Sequence, residues 1–368
     1  MKRGTHFKKR ALIGRVCVTA GFVIPTLVLS PGSSAESVVP NAYVAMGDSF
    51  TAGPLVPNPT GDPIDCGRSD HNYPTLVAAA LEAPVFRDVS CGGADTEDFS
   101  EQQEAYLGGI NPPQFDALGT DTALVTVGIG GNDIGFGGIV DHCVQPPPPI
   151  GTPCTPYYKR NGGDELSERI KETAPKIAAV LQEIHRRAPA AEVFVVDYPA
   201  LLPDDGTACY PYVPILPEDV PYLRDKEKEL NSMLAEQAAA NGATHVSWYT
   251  PSIGHDACKL PGTVWVNGAV VVPPSFPAHP NADGLAGAAA AVLEAVKRDG
   301  FSWPVEGEVE VLSNAGSRDN EDVTSPAAVT PRLPATGSSS VLTGLLLALF
   351  SLAGSVVLRR GWARSNRG

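Results

Sequence analysis

Ser49, His279 and two possible oxyanion donors stand in settings that suit acyl-transfer chemistry. Ser49 follows the apolar run at residues 43–46 and lies in the motif GDS, where a tight turn leaves a hydroxyl little shielded. His279, in the stretch FPAHPN, could take the proton of that hydroxyl, and groups near Gly93 and Asn132 could bind a developing oxyanion. This combination predicts attack by a serine on an ester carbonyl.

Each of these residues also has a simpler interpretation. Ser49 could merely end a strand and cap the next helix. His255, in the stretch GHDAC, competes with His279 as the base, but the HPN sequence and helix start that place His279 are missing there. Asp48 and Asp133 are expected to pin their turns. Structural or surface roles are expected for four further histidines, which share no metal-ligand spacing: His71, His142, His185 and His245.

Short apolar runs alternate with helical patterns from Tyr43 onward, as expected for strands covered on both faces. Strand followed by helix, repeated, predicts a mostly parallel sheet of five strands between helical layers, with the active site beyond the carboxyl ends of the strands. Pro175 is expected to kink or interrupt its helix. The predicted strands are 43–46, 85–89, 123–129, 193–198 and 245–249, and the predicted helices are 73–81, 165–187, 223–241 and 282–298.

Four blocks of this sequence resemble those of the SGNH (GDSL) hydrolase family: GDS near the amino end, a glycine after the second strand, GxND after the third and HP before the last helix. The resemblance spans nearly the whole domain. It implies a flavodoxin-like, three-layer α/β/α fold and carboxylic ester hydrolysis without cofactor or metal. It implies that Ser49 is the nucleophile and that His279 is the general base. The expected oxyanion donors are the backbone amides of Ser49 and Gly93 and the side chain of Asn132.

One position departs from that family. Many members carry an aspartate three residues before the histidine, and this chain has Phe276 there. The Nδ1 proton of a histidine needs an acceptor but not necessarily a carboxylate, so the Phe276 carbonyl is the expected partner, as in some disulfide-bonded members. A Ser-His dyad is therefore favoured over a triad, with weaker stabilisation of the imidazolium.

Six cysteines follow the first 35 residues, and sequence alone leaves fifteen pairings open. The sequential pairing is favoured because each pair brackets a candidate long loop, and the insertions at 54–72, 135–163 and 201–217 are expected to wall a cleft. Metal binding is the alternative, but no CxxC spacing supports it. The stretches CGGA and GHDAC resemble streptomycete-type secreted lipases and esterases with three disulfides. The favoured pairs are Cys66–Cys91, Cys143–Cys154 and Cys209–Cys258.

Residues 1–35 predict a secretory signal. A basic start, an apolar run at 16–29 and the small-residue end Ser33-Ser34-Ala35 are typical of such signals, with cleavage by signal peptidase after Ala35. A retained membrane anchor is disfavoured, because the run is short and contains Pro25. The hydrolase domain is then expected to occupy residues 36–300, followed by an acidic, flexible spacer at 301–332.

The carboxyl end resembles the LPxTG cell-wall sorting signal of Gram-positive bacteria. Its pentapeptide LPATG at 333–337 precedes an uncharged apolar span at 341–358 and four arginines, within a segment that ends at residue 368. The resemblance implies sortase cleavage between Thr336 and Gly337 and covalent attachment of Thr336 to peptidoglycan. The alternative is a permanent single-pass tail.

The charge balance limits the partners of the mature chain. The two terminal segments carry ten of the 27 basic residues and no acid, which leaves 17 basic against 41 acidic residues. That balance argues against nucleic acid and against charge-driven binding to anionic lipid. The sequence therefore favours an exported, wall-anchored ester hydrolase acting on acyl lipids. A polysaccharide or peptidoglycan O-acetyl esterase and a catalytically inactive surface adhesin are the alternatives.

Overall fold

Five short strands rich in aliphatic residues form one parallel sheet in the computed structural model, which describes residues 39–269 and 274–304. The strands of this sheet and of a small hairpin are β1 (Ala42–Gly47), β2 (Val85–Asp88), β3 (Gln103–Glu104), β4 (Ile110–Asn111), β5 (Thr122–Gly128), β6 (Glu192–Val196) and β7 (Thr244–Val246). β3 and β4 pair antiparallel, and the other five lie in the order β2-β1-β5-β6-β7. Every residue of β1 and β5 is buried, as expected for inner strands covered on both faces.

The helices that accompany this sheet include two packed pairs. In the described residues they are α1 (Ser49–Ala52), α2 (Tyr73–Ala80), α3 (Phe136–Cys143), α4 (Thr155–Tyr158), α5 (Glu165–Arg187), α6 (Val220–Ala240), α7 (Tyr249–Ser252) and α8 (Ala282–Arg298). α2 packs against α8, and α5 packs against α6. The predicted parallel sheet and the α/β/α class are confirmed, and the strand order is that of flavodoxin-like folds.

α5 is continuous across Pro175, so of the two outcomes expected there, a kink or an interruption, the interruption does not occur. A proline inside a helix costs about 3 kcal/mol. The apolar side of α5 is buried along its whole length, and burial contributes roughly 1.5–3 kcal/mol for each large aliphatic side chain. Packing therefore outweighs the local penalty. The large aliphatic residues on this side are Leu166, Ile170, Ile177, Val180, Leu181 and Ile184.

Three disulfides join loop segments and helix ends, and Cys143 is the last residue of α3. The pairs are Cys66–Cys91, Cys143–Cys154 and Cys209–Cys258, which is the sequential pairing that the sequence favours. The first is reinforced by the Gly92 N–H, which donates to the Cys66 carbonyl at 2.8 Å. It fixes the segment before Gly93 to the loop that follows α1.

The packed part of the chain extends past the predicted boundary at residue 300. Phe301 and Trp303 pack against the main core, and their rings lie 5.0 Å apart. The Trp303 indole N–H also donates to the Leu81 carbonyl at 2.7 Å. Phe301 and Trp303, which the sequence assigns to the spacer, therefore belong to the packed part of the chain.

Several predictions concern residues that the structure does not describe. The signal at 1–35, the rest of the spacer, the pentapeptide with Thr336 and Gly337, and the apolar span at 341–358 all lie outside 39–269 and 274–304. Within those two ranges, no helix combines the length and apolar character that crossing a membrane requires.

Replacing Trp303 tests whether residues 301–304 belong to the folded domain. We expect Trp303→Ala to lower the free energy of unfolding by roughly 2 kcal/mol, because a partly buried aromatic side chain is removed. Trp303→Phe should cost about 1 kcal/mol, because it keeps a ring but loses the hydrogen bond. Urea unfolding of residues 36–336 measures both values. Two variants as stable as the parent would place the domain end at residue 300.

Candidate active site

The turn after β1 places Ser49 at the start of α1. Asp48 caps this helix, and its Oδ1 accepts the Phe50 N–H at 2.9 Å. A Cβ on Gly47, whose φ is +146°, would lie 2.4 Å from the Gly128 carbonyl oxygen, so only glycine fits there. Because the side chain of Asp48 makes the capping hydrogen bond, Asp48 is the helix cap, and the interpretation of Ser49 as the cap is wrong.

Gln114 fixes this turn from a distant part of the chain. The Gly47 N–H donates to its Oε1 at 2.8 Å, and its Nε2 donates to the Gly47 carbonyl at 3.0 Å. The Cys91 N–H donates to the same carbonyl at 3.0 Å. Gln114 is fully buried, so both backbone groups before Ser49 are satisfied without water. The sequence carries no local signal for this contact, because the partners are 67 positions apart.

His279 lies directly against Ser49. Its Nε2 is 2.7 Å from the Ser49 Oγ, and its Nδ1 is 2.8 Å from the Pro277 carbonyl oxygen. A carbonyl can only accept, so the second bond requires the proton to be on Nδ1. In the neutral ring, Nε2 then carries the lone pair and accepts the serine hydroxyl. This is the geometry in which a histidine can deprotonate a serine.

The acceptor for Nδ1 is the Pro277 carbonyl, and the prediction of the Phe276 carbonyl is wrong. Phe276 begins a four-residue turn, and its carbonyl is occupied by the His279 N–H at 3.1 Å. Proline second and a positive φ third, here +58° at Ala278, are typical of a type II turn. The middle carbonyl of such a turn points away from the closing bond, which leaves Pro277 free to meet the imidazole. A positive φ at alanine costs about 1–2 kcal/mol.

Aromatic rings surround His279 and keep water away from it. The ring centroids of Phe50, Phe276 and Phe136 lie 4.8, 5.2 and 6.1 Å from that of the imidazole. Burial lowers the pKa of His279 to about 4, against a smaller opposing effect of the Pro277 hydrogen bond. The imidazole is therefore neutral at pH 7 and able to accept a proton.

The two predicted oxyanion donors lie on segments that bond to each other. Gly93 has φ +78° and follows the Cys66–Cys91 disulfide. Asn132 follows β5, and its Nδ2 donates to the Ala94 carbonyl at 2.8 Å, which leaves a second amide hydrogen. Asp133 adds to the connection, because its carboxylate accepts the Thr96 N–H at 3.1 Å and the Thr96 hydroxyl at 2.5 Å. Burial raises the pKa of Asp133, and the bond from Thr96 opposes this.

Tyr198, which sequence reasoning missed as a site residue, connects this region to the serine turn. Its hydroxyl donates to the Asp48 Oδ2 at 2.6 Å and accepts the Gly131 N–H at 2.8 Å. Burial raises the pKa of Asp48 to about 7, and the Tyr198 hydrogen bond opposes the rise. Both carboxylate oxygens are engaged within the turn region, in line with the expected pinning role of Asp48. The only sequence signal for Tyr198 is its place at the end of a predicted strand.

The competing base, His255, has other partners. Its Nδ1 lies 2.6 Å from the Thr263 carbonyl oxygen, and its ring stacks on Trp265 at 4.3 Å. Of the two histidines, His279 is the one in contact with Ser49. No group of three or more His, Cys, Asp or Glu side chains in 39–269 and 274–304 is arranged to hold a metal ion.

Comparison with known proteins places this fold and site in a family. Residues 45–286 match the GDSL-like Lipase/Acylhydrolase family, and the chain belongs to that family. It is a carboxylic ester hydrolase, a lipase or esterase.

The relatives at the sequence level are streptomycete enzymes. The chain is 38% identical to "Lipase 2" of Streptomyces coelicolor over 244 residues, covering 66% of this chain and 81% of that protein. It is 30% identical to an "Esterase" of Streptomyces scabiei over 261 residues, covering 62% of this chain and 75% of that protein.

Two solved structures are similar in fold at 25% identity. Phospholipase A1 from Streptomyces albidoflavus gives a TM-score of 0.58, covering 69% of this chain and 98% of that one. The extracellular lipase from Streptomyces rimosus gives 0.53, covering 69% and 99%.

Opening the aromatic surroundings of His279 should raise its pKa. The folded value is depressed because burial penalises the imidazolium, so water admitted by Phe136→Ala should move the pKa from about 4 toward the ordinary 6.5. The imidazole Cε1 proton resonance, followed against pH and assigned with His279→Gln, measures this.

Phe86→Ala serves as the control, because this partly buried ring stacks on Tyr43 in the sheet. It should leave the pKa of His279 unchanged. A parent value near 6.5, or equal values in the parent and Phe136→Ala, contradicts the assignment of burial as the cause.

Proposed function

We propose that this protein is a secreted, cell-wall-anchored serine ester hydrolase that acts on acyl lipids through a Ser49–His279 dyad. The observation that carries the proposal is the 2.7 Å contact between the Ser49 Oγ and the His279 Nε2, with Nδ1 fixed by a carbonyl. A buried, neutral imidazole in contact with a serine hydroxyl is the minimum required of an activated nucleophile.

The reaction follows from this geometry. His279 removes the hydroxyl proton as the Ser49 Oγ attacks the ester carbonyl carbon, whose oxygen takes the electron pair. The resulting oxyanion is held by the Ser49 and Gly93 amides and by the Asn132 Nδ2. When the tetrahedral intermediate collapses, the bond to the alcohol oxygen breaks and the imidazolium protonates the departing alcohol. Water, deprotonated by His279, then attacks the acyl carbon, and the bond from that carbon to the Ser49 Oγ breaks. The imidazolium returns its proton to the Ser49 Oγ, and the carboxylic acid leaves.

The state of the proposed donors supports this assignment. No hydrogen bond from the Gly93 N–H to another described residue is present, and Asn132 uses only one amide hydrogen, on the Ala94 carbonyl. Donors that are fixed but still free to bind are what an oxyanion site needs, because they stabilise charge without reorganising.

The substitution of a carbonyl for a carboxylate has a cost. Pro277 supplies a dipole rather than a full negative charge, and burial already disfavours the imidazolium. The dyad should therefore stabilise the charged intermediate less than a Ser-His-Asp triad does. Because burial lowers its pKa, the imidazole also remains a neutral base over a wide range of pH.

An apolar rim beside Gly93 supports acyl chains as the substrate. We define the rim as Ile64, Tyr106, Leu107 and Ile110, whose side chains are 53%, 54%, 88% and 51% exposed. Tyr106 lies against Gly92 and Gly93, because a Cβ on Gly92 would meet its ring at 2.9 Å. The Asp65 carboxylate holds the hairpin tip by accepting the Leu107 and Gly109 N–H groups at 2.8 and 3.0 Å. Clustered exposed apolar side chains next to a site are typical of lipid or ligand contact.

The charge around this rim favours uncharged or zwitterionic lipids. No lysine or arginine occurs between Arg87 and Lys159, and that stretch includes Glu101 and Glu104 near Tyr106, Leu107 and Ile110, three of the four rim residues. Such a surface repels anionic head groups and gains nothing from them electrostatically. The similar solved enzymes, a phospholipase A1 and a lipase, also act on lipids by their names.

The proposed location rests on sequence alone. The segments that predict signal peptidase cleavage, sortase cleavage and attachment of Thr336 to peptidoglycan lie outside the described residues. Wall attachment also favours the second candidate, an O-acetyl esterase of polysaccharide or peptidoglycan. An inactive adhesin is disfavoured by the retained contact between Ser49 and His279.

Removing the nucleophile tests the reaction. We expect Ser49→Ala and His279→Ala each to lower kcat on p-nitrophenyl esters by at least about 10³-fold, and Asn132→Ala by about 10²–10³-fold. A fluorophosphonate probe should label the parent at Ser49 and should not label Ser49→Ala. Ser247→Ala, at a partly exposed serine after β7, is the control and should keep parental activity. Hydrolysis by Ser49→Ala at the parental rate contradicts the proposal.

A chain-length series tests the substrate. The parent should hydrolyse long-chain p-nitrophenyl esters and emulsified glycerides better than acetyl esters, because the rim can bury additional methylenes at about 0.8 kcal/mol each. Leu107→Ser should lower long-chain activity and leave acetyl hydrolysis unchanged. Leu260→Ser, at a 73% exposed leucine near the Cys209–Cys258 disulfide, is the control. Activity confined to acetyl esters removes the lipase proposal in favour of the O-acetyl esterase.

A further inference from the structure

The phenol of Tyr198 lies between two turns that the proposed reaction uses. Its hydroxyl donates to Asp48, which precedes the proposed nucleophile, and accepts the N–H of Gly131, which precedes the proposed oxyanion donor Asn132. Both bonds are short, at 2.6 and 2.8 Å, and the side chain is only 5% exposed. One buried hydroxyl thus bonds to both segments at once.

We propose that Tyr198 is a positioning residue, which sets the distance between the Ser49 hydroxyl and the oxyanion donor of Asn132. This inference rests on the proposed roles of those two residues. Tyr198 itself contacts neither the ester nor the reacting atoms and acts through the peptide groups on either side.

The phenol can set this distance because it is itself firmly held. Asn231 on α6 pairs with the backbone of Tyr198, accepting its N–H at 3.1 Å and donating to its carbonyl at 2.9 Å. The ring packs edge-on against Phe50, with centroids 5.1 Å apart. The hydroxyl therefore has a fixed place relative to the sheet, and the positions of the two turns depend on their hydrogen bonds to it.

The absence of a side chain at Gly131 allows this contact. A Cβ at that position would lie 3.0 Å from the Tyr198 hydroxyl oxygen and 3.2 Å from the ring carbon that carries it. Glycine thus allows the peptide before Asn132 to come within hydrogen-bond distance of the phenol. Gly131 stands at the variable second position of the GxND block, so the motif does not require a glycine there, whereas this contact does.

Loss of the hydroxyl would leave two buried groups without a partner. The Gly131 N–H would lose its acceptor, and the Asp48 Oδ2 would lose its donor. Asp48 is already costly to ionise, because burial raises its pKa to about 7 and the nearby Asp133 adds to the rise. Buried polar groups in this condition move to find water or another partner. Such movement would displace Asn132 relative to Ser49.

Tyr198→Phe, measured beside Tyr43→Phe, tests the proposal. Tyr43 is a matched control, because it is fully buried on β1 and its hydroxyl bonds to the Thr126 Oγ1 at 2.8 Å within the same sheet. Both variants lose one buried phenol hydroxyl. Only the first loses a connection between the two turns.

We expect Tyr198→Phe to lower kcat on a soluble p-nitrophenyl ester by about 10- to 100-fold, the effect of a donor displaced by a fraction of an ångström to 1 Å. KM should stay near the parental value, because the lost contribution arises in the transition state. Tyr43→Phe should retain nearly parental kcat, although urea unfolding should show a loss of stability in both. Equal kcat in the two variants overturns the proposal and leaves Tyr198 a packing residue.

A second variant keeps the test decisive if Tyr198→Phe does not fold. Gly131→Ala retains the phenol but forces the peptide away from it, and it should show the same selective fall in kcat. Parental kcat in Gly131→Ala overturns the proposal. Ser49→Ala, assayed in parallel, separates the two ideas: an active Ser49→Ala means that the proposed function has failed, whereas an inactive one beside fully active Tyr198→Phe or Gly131→Ala means that only this inference has failed.

Discussion

The hydrogen-bonded series from the Pro277 carbonyl through His279 to Ser49 is the interaction on which the site depends. Because a carbonyl cannot donate, the first bond fixes the proton on Nδ1 and thereby directs the lone pair of Nε2 at the serine hydroxyl, 2.7 Å away. Nothing in this series carries a formal charge before reaction. The imidazole is buried among three phenylalanine rings, where a neutral base is stable and an imidazolium is not.

Because the series is uncharged, it depends on fixed positions of Ser49 and His279 and on the exclusion of water, and the fold provides both. Gln114 and Cys91 fix the backbone of Gly47 before the serine turn, and the Cys66–Cys91 disulfide holds the segment that leads to Gly93. The parallel sheet delivers these turns to one edge, because the carboxyl ends of parallel strands meet there. Hydrogen bonds between the turns then complete the arrangement. Fixed dipoles in a dry site stabilise developing charge better than mobile ones, so rigidity here serves catalysis.

The sequence predicts the elements of this fold more fully than their contacts. Strands and helices follow from local apolar periodicity, and Ser49 and His279 from short motifs beside those elements. The sequence predicts the Phe276 carbonyl as the acceptor for His279 instead of the Pro277 carbonyl. The direction of these carbonyls depends on the positive φ of Ala278, which an alanine in the sequence does not indicate.

Contacts between distant segments leave still less trace in the sequence. Gln114 has no local signal for its role, and Tyr198 has only its place at the end of a predicted strand, since their partners lie 67 and 150 positions away. The acidic composition around Trp303 predicts a spacer, yet this side chain packs on the core. At Pro175 the local cost of a proline predicts a kink or an interruption, but the burial along the whole helix outweighs that cost and the helix continues.

The most direct test of the account is the tautomer of His279 in the resting enzyme. Nitrogen-15 spectra of the histidine-labelled protein, with the resonances assigned by His279→Gln, distinguish protonated from unprotonated ring nitrogens. The account predicts a neutral ring at pH 7, protonated at Nδ1 and unprotonated at Nε2. A ring protonated at Nε2, or an imidazolium at that pH, contradicts it, because neither could accept the proton of Ser49.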